Sequence, residues 1–242
     1  MRWLVFAKRN TKEILRDPLT LIFGLGFPVI LLLLLTMIQK NIPVSLFELE
    51  SLTPGIVVFG YSFLALFAAL LVSRDRATAF LQRLYVSPMQ AGDFILGYLL
   101  PLVPMAAAQC LLTDLVAAVL GLQLTVHTLA SGALSLLTAV MFIALGLLFG
   151  TLLNDKQVGG ICGALLTNLS AWLSGTWFSL DLIGGWFKKI AFLLPFANGV
   201  ELGRAAVSGN YEEIFPYFWW CLGYAVVLLA AAIGIFRRKM RG

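Results

Sequence analysis

Few residues in this chain can do chemistry, and they are concentrated in two places. The first is a polar stretch, Ser73 to Gly92, which interrupts long apolar runs and holds Arg74, Asp75, Arg76, Gln82 and Arg83. Leu81, Leu84 and Tyr85 recur there at helical spacing, with Arg76 and Arg83 on the flanks. That pattern predicts a short anchored helix that closes at Ser87-Pro88 and presents a charged face. Such a face can grip a partner through ion pairs, but it cannot break a bond. The second place is Asn168, with Thr167 and Ser170, inside the apolar run from Val158 to about Phe178. An amide and two hydroxyls at that depth either join helices by hydrogen bonds or line a path for something polar. Asp114 and Gln109 lie on another run. Asp114 falls about 32 Å along it from Asp93, at headgroup level, where ionisation costs little, so it is not read as a proton relay.

Catalytic constellations are absent. There is no G-x-x-x-x-G-K-[ST] to cradle nucleotide phosphates, no H-E-x-x-H and no G-x-S-x-G elbow. The single histidine, His127, has no ligand partners nearby and reads as a solvated loop residue. Cys110, Cys162 and Cys221 are scattered singly in apolar segments and read as small buried hydrophobes. Neither an enzyme nor a metal site is expected, and no cofactor in this chain.

The elements that must position these residues follow from composition. Of 242 residues, 60% are apolar and 12% are charged, against roughly 25% charged in soluble domains. Lipid must therefore be the solvent for most of the chain. The net charge of +5 comes from cations clustered beside apolar runs, which fits headgroups and topology better than nucleic acid. Residues 1–18 alternate Arg2, Lys8, Arg9, Lys12 and Arg16 with Trp3, Ala7 and Ile14 on one face, as an amphipathic interfacial helix would. Asp17-Pro18 caps a first span, Leu19 to Ile38, and Thr53-Pro54 opens a second that ends at Val72. A third, Phe94 to Leu120, is capped by Asp93 and contains Pro101 and Pro104, where it should tilt or bend. A fourth, capped by Ser131, ends near Leu153, and a fifth runs from Val158 to about Phe178. The last spans Pro216 to Phe236 and ends in Arg237-Arg238-Lys239-Met240-Arg241.

Between them, 180–196 is apolar but broken by Gly184-Gly185 and Lys188-Lys189 and stopped by Pro195. With six spans, 13 of the Lys and Arg residues fall on the cytoplasmic side and four outside. A seventh span would put the basic tail outside, against the positive-inside rule. The segment is therefore expected to dip into the outer leaflet and return, within an outer region 179–215. Gly146-x-x-x-Gly150 and Gly159-x-x-x-Gly163 are expected to allow close helix packing. The expected fold is all-α: one polytopic membrane domain, 1–242, with six transmembrane helices, the interfacial helix at 1–18, a cytoplasmic loop at 73–92 and the outer re-entrant segment.

The stretch SRDRATAFLQRLYVSPMQAGDFILGY, Ser73 to Tyr98, resembles the first cytoplasmic loop of ABC transporter permeases of the type-2 exporter family. There an R-E-x-G-T-L-E-x-L-x-x-x-P-like pattern follows the second span and docks on the ATPase subunit. The likeness runs through Arg74, Asp75, Thr78, Leu81, Leu84 and Pro88, and departs at Ala77 and Phe80, where the family usually has glycine and glutamate. A second stretch, LPFANGVELGRAAVSGN, Leu194 to Asn210, is similar to the family's LPF-x-x-x-x-x-x-x-R sequence before the last span. Order and spacing together cover essentially the whole chain.

The resemblance implies a permease subunit of an ATP-driven exporter. Arg74, Asp75, Arg76, Thr78, Leu81, Arg83, Leu84 and Pro88 would couple to a separate ATPase that holds ATP and Mg. A second permease copy would complete the membrane unit, as a homodimer or a heterodimer. Asn168, Thr167 and Ser170 are the candidates for the substrate path, and the cargo would be an amphipathic drug or lipid. The implied setting is the cytoplasmic membrane of a bacterial cell, with both termini inside. The rival readings are an ion-coupled secondary transporter, which the missing internal repeat argues against, and a membrane scaffold that transports nothing.

Overall fold

The computed structural model describes residues 2–43 and 45–241, and the side chains of these except at 2, 79, 82 and 241. The side chains of Arg2 and Gln82 thus lie outside the described residues. Among the described residues every regular element is helical. In chain order these are α1 (Arg2–Arg16), α2 (Pro18–Gln39), α3 (Leu49–Ala77), α4 (Ala79–Tyr85), α5 (Ala91–Leu120) and α6 (Val126–Leu152). They continue as α7 (155–173), α8 (Leu180–Ile183), α9 (Gly185–Leu193), α10 (Pro195–Val207) and α11 (Tyr211–Arg241).

Among the described residues five helices are long and apolar enough to cross a membrane: α2, α3, α5, α6 and α11. The fifth span expected from Val158 to about Phe178 falls on α7, a helix of 155–173 that is not among these five: Asp155, Lys156, Gln157 and Asn168 dilute its apolar character, and its middle turns, Gly159–Leu166, are wound as a π-helix. The next apolar pair, α9 and α10, is bent by 84°, the shape of a broken span or of a re-entrant segment. Gly184 (φ +62°) and Gly185 (φ +54°) make the break before α9, in a backbone region that side chains with a Cβ rarely adopt. Asn198 holds the bend itself, since its amide donates to the carbonyls of Phe192 (2.8 Å) and Leu194 (2.9 Å).

Helix α3 is the axis of the bundle. In its most apolar stretch 83% of residues are buried, against 22% for α2 and 17% for α11, which form the periphery. Helix α6 lies directly on it because Gly146 and Gly150 have no side chain. A Cβ at either would run into the α3 backbone, at Ala65 and Ala69 respectively. Tyr61 and Ser135 share a hydrogen bond of 2.8 Å between α3 and α6. Gln109 fastens α5 to α3 through the Val57 carbonyl at 3.0 Å. Helix α10 slots in where Gly199 faces Thr138 and Gly203 faces Pro54.

Several boundaries differ from the sequence reading, each for a local reason. Helix α3 does not stop at Val72 but runs five residues further, through Ser73 to Ala77, with Ser73 and Asp75 still buried. Asp93 sits in the first turn of α5 and accepts from the amide of the capping residue, Gln90, at 2.9 Å. Pro101 and Pro104 lie within α5, which continues through both as one helix. Thr125, not Ser131, caps α6; Ser131 is buried and donates to the Gly203 carbonyl of α10 at 3.0 Å. His127, expected in a solvated loop, lies instead in the first turn of α6, half-buried, and pairs with the Tyr211 hydroxyl at 2.8 Å.

Helix α1 lies across the end of the bundle where the basic stretches meet. Its apolar face is turned onto protein: Phe6, Ala7, Asn10 and Ile14 are buried, and the Phe6 ring occupies the space left by the absent side chain of Gly97 on α5. Lys8, Lys12 and Arg16 face outward.

Candidate functional site

The site expected around 73–92 is built on the overhanging end of α3. A 29-residue helix is about 44 Å long, longer than the roughly 30 Å hydrocarbon core. Its last turns therefore emerge into a polar layer. Arg74, Asp75 and Arg76 are successive residues, each rotated about 100° from the last, so they point to three different neighbours.

Arg74 is half exposed and reaches Asp17, the cap of α2, at 3.9 Å and Asp155, in the first turn of α7, at 3.6 Å. Ser73 also donates to Asp155, at 3.3 Å. Asp75 turns inward and is 3% exposed. Its two oxygens accept a fork from Arg9 of α1 (2.7 and 2.8 Å), and one also accepts the Tyr98 hydroxyl of α5 at 2.8 Å. A buried carboxylate needs such partners, and a bidentate guanidinium with a hydroxyl supplies them. Arg76 donates to the carbonyls of Gly150 (2.8 Å) and Leu153 (3.2 Å) at the C-terminal end of α6. Lys239 of α11 donates to the adjacent Thr151 carbonyl at 2.6 Å. Cations suit a helix C-terminus, whose last carbonyls are unpaired and carry the negative end of the dipole.

The same hub is fastened to α1 by Asn10, whose amide donates to the Gly97 carbonyl at 3.0 Å, and by the Arg9–Glu13 pair at 2.7 Å. Burial raises the pKa of Glu13 from its ordinary range, and the neighbouring Arg9 charge pulls it part of the way back.

Thr78 breaks the chain between α3 and α4. Its backbone is extended, and its hydroxyl donates to the Asp75 carbonyl (3.0 Å) and accepts the Phe80 amide (3.4 Å), capping α4. Helix α4 then lays its apolar side on the bundle. Leu81 is 1% exposed; Phe80 carries the Arg9 guanidinium 4.5 Å from its ring centre. Tyr85 meets Phe94 and Phe236 edge-on, at 5.9 and 6.1 Å, and burial raises its pKa. Leu84 is half-buried, while Thr78, Arg83 and Pro88 remain exposed.

The eight residues singled out from the sequence thus fall into two groups. Arg83, Thr78 and Pro88, with half-exposed Arg74, form a surface; Asp75, Arg76, Leu81 and Leu84 tie that surface to the bundle. Sequence reasoning missed Val86, which is 85% exposed at the tip of the turn after α4. The available signal was an apolar residue out of phase with Leu81, Leu84 and Tyr85, just before Ser87-Pro88. It also missed Arg9 and Tyr98 as the partners of Asp75.

The path candidates lie elsewhere, on α7, and they do not share a wall. Asn168 is exposed and its amide donates to Ala164 of its own helix at 2.8 Å. Thr167 is half-buried and bonds the Cys162 carbonyl at 3.0 Å. Ser170 faces into the bundle, its hydroxyl unpaired among the described residues. Of the two small-residue pairs, Gly146 and Gly150 make the contact described above. Gly159 has open space around it, and Gly163 only ordinary contact with Leu66.

The second sequence stretch, Leu194 to Asn210, acts at the opposite end of the bundle. Arg204 donates to the Ser51 carbonyl at the start of α3 (3.1 Å) and to the Gly175 carbonyl after α7 (2.9 Å), and pairs with Glu201 at 2.8 Å. It locks the returning arm to the axis.

Residues 1–207 match the family model described as ABC-2 type transporter. The chain is also 26% identical, over 243 aligned positions, to a protein of Pyropia yezoensis named "Putative transport permease ycf38". That alignment covers 92% of this chain and 81% of the relative. A family model matching most of the length, on an all-helical bundle of membrane-spanning helices, settles the assignment: this multi-pass membrane protein belongs to the ABC-2 type transporter family.

Proposed function

We propose that this chain is the membrane half of an ATP-driven exporter, energised by a separate ATPase subunit that docks on α4 and the turn after it. Family membership supplies the coarser statement, a transport permease subunit of an ABC transporter with an ATPase partner. The finer reading is supported chiefly by the hub at Arg74-Asp75-Arg76. A push on the exposed face of α4 passes through Thr78 and Leu81 to three consecutive side chains. These hold α2 and α7, α1 and α5, and α6 respectively. The ATPase would bring ATP and Mg; this chain would convert its closure into helix movement. The interfacial helix 1–18 and the loop 73–92 would lie on the cytoplasmic side of the cell membrane with both termini, and 179–215 would form the outer side.

The open face of α7 favours a second permease copy. Gly159, Gly160, Leu165, Asn168 and Trp172 are exposed along it, and an amide facing lipid would be costly. A path between two copies would give Asn168 a partly wet, protein-lined surroundings, where Thr167 could also meet cargo. The cargo would be amphipathic, drug- or lipid-like, to suit a path lined by Asn168 and Thr167 among apolar residues.

The test uses exposed residues, so the fold is spared. In the reconstituted complex, Arg83→Glu combined with Val86→Asp should leave the permease inserted and thermally stable. ATP-driven export should fall at least roughly tenfold, equivalent to about 1.4 kcal/mol of lost coupling. Normal export by this double variant would remove the docking role of α4.

A further inference from the structure

We infer that the notch between α1 and the start of α2 is a binding site for an anionic phospholipid, whose phosphate lies on the Lys8–Lys12–Arg16 stripe and whose acyl chains run down α2. The notch is a cleft of about 1020 Å³ where Lys8, Arg9, Lys12, Arg16 and Arg74 meet only two carboxylates, Glu13 and Asp17. Those carboxylates are engaged. Glu13 pairs with Arg9, which is also held by Asp75, and Asp17 faces Arg74. Lys8, Lys12 and Arg16 have no ion-pair partner among the described residues. Spaced four apart, they form one stripe on the outward face of α1, opposite the buried Phe6, Ala7 and Ile14.

What selects a lipid rather than a soluble anion is the surface that continues from the stripe. Leu19, Ile22 and Phe23, in the first turns of α2, are 63%, 56% and 40% exposed, and Val5 beside them on α1 is 73% exposed. A phosphate-binding notch directly above an unpartnered apolar track has the layout of an amphiphile. An acidic protein surface would satisfy the cations but leave the track, which belongs to a membrane-spanning helix, uncovered. The ligand class is therefore a phospholipid of net negative charge, held as a resident of the permease. Because α1 is tied through Arg9 to Asp75, the site adjoins the hub.

The experiment uses full-length permease purified in mild detergent and offered phosphatidylglycerol and phosphatidylcholine of matched chains, with bound lipids counted by native mass spectrometry. The wild-type chain should retain phosphatidylglycerol with roughly tenfold or greater preference, falling to about twofold or less in the Lys8→Gln/Lys12→Gln/Arg16→Gln variant. An equal-charge control, Lys40→Gln/Lys156→Gln/Lys189→Gln, should keep the preference. Glycerol phosphate, which has the headgroup and no chains, should not displace the lipid at matched concentration. Two outcomes overturn the proposal: the stripe variant keeps its preference for phosphatidylglycerol, or glycerol phosphate displaces the lipid, which would mark a free-phosphate site.

Discussion

At the scale of single residues, the sharpest lesson is Asp75. Between two arginines in a basic stretch it reads as a solvated charge, and the likeness to type-2 permeases places it on a docking loop. The structure turns it inward because Arg9, 66 positions away, and Tyr98, 23 positions away, meet it there. No local pattern announces partners that distant. By contrast, Asp17-Pro18 was legible, since cap and first-turn proline act within three residues: Asp17 accepts the Leu19 and Thr20 amides at 3.1 and 3.4 Å. The network can be tested by pairing Asp75→Asn with Tyr98→Phe. Each loses a hydrogen bond involving a charged group, so each should cost about 1.5–3 kcal/mol, at the lower end for Asp75→Asn because Arg9 is partly exposed and can rehydrate. Their effects should be non-additive by 0.5 kcal/mol or more, on the order expected of contacting residues. Melting of the purified variants measures this; strict additivity would mean that the two residues do not share one network.

At the scale of elements, the apolar runs gave the helices and local chemistry blurred their ends. Ser131 looked like a cap because serine caps well, yet a bond to Gly203 on a helix 72 positions away claimed it, and Thr125 took the terminus. Glycine spacing carried the same ambiguity. Two Gly-x-x-x-Gly pairs look alike in sequence, but only Gly146 and Gly150 meet another backbone within this chain, while Gly159 and its neighbour Gly160 have open space around them and Gly163 has only ordinary contact with Leu66. The two glycine-containing stretches should therefore respond differently. Gly146→Leu should prevent stable packing of α6 on α3, through an overpacking cost of about 3 kcal/mol or more, and abolish recovery of folded permease. Gly160→Leu should leave each chain folded but reduce the fraction recovered as a two-copy assembly in cross-linking and size measurements. An unchanged assembly for Gly160→Leu would move the second copy off α7.

At the scale of the whole molecule, five of the six expected spans were legible from apolar length, but α7 and the route of the chain from it to α11 were not fully so. Charge bias argues that 180–196 does not cross, while the 84° bend between α9 and α10 fits a broken span as well as a returning segment. What the sequence hid was that both ends of this arm are fastened, by Asn198 within the bend and by Arg204 to α3. The proposed orientation can be checked with single cysteines in intact cells. Cysteines at Lys40 and Gly209 should react with a membrane-impermeant thiol reagent, and one at Gln157 should react only after the membrane is opened. Labelling of the Gln157 position from outside would invert or break the six-crossing plan.

The clamping of α3 at both ends gives the molecule a sense of phase. Its start is held by Arg204 at the Ser51 carbonyl and its end by the three consecutive charges. One residue inserted between those clamps would rotate the far end by about 100°. Each of the three charges would then arrive at its neighbour's address: an arginine where a carboxylate is required, a carboxylate against the carbonyl end of α6. The register of this one helix is thus a combination that sets the three joints made by Arg74, Asp75 and Arg76 at once, and a single residue is enough to put all three wrong.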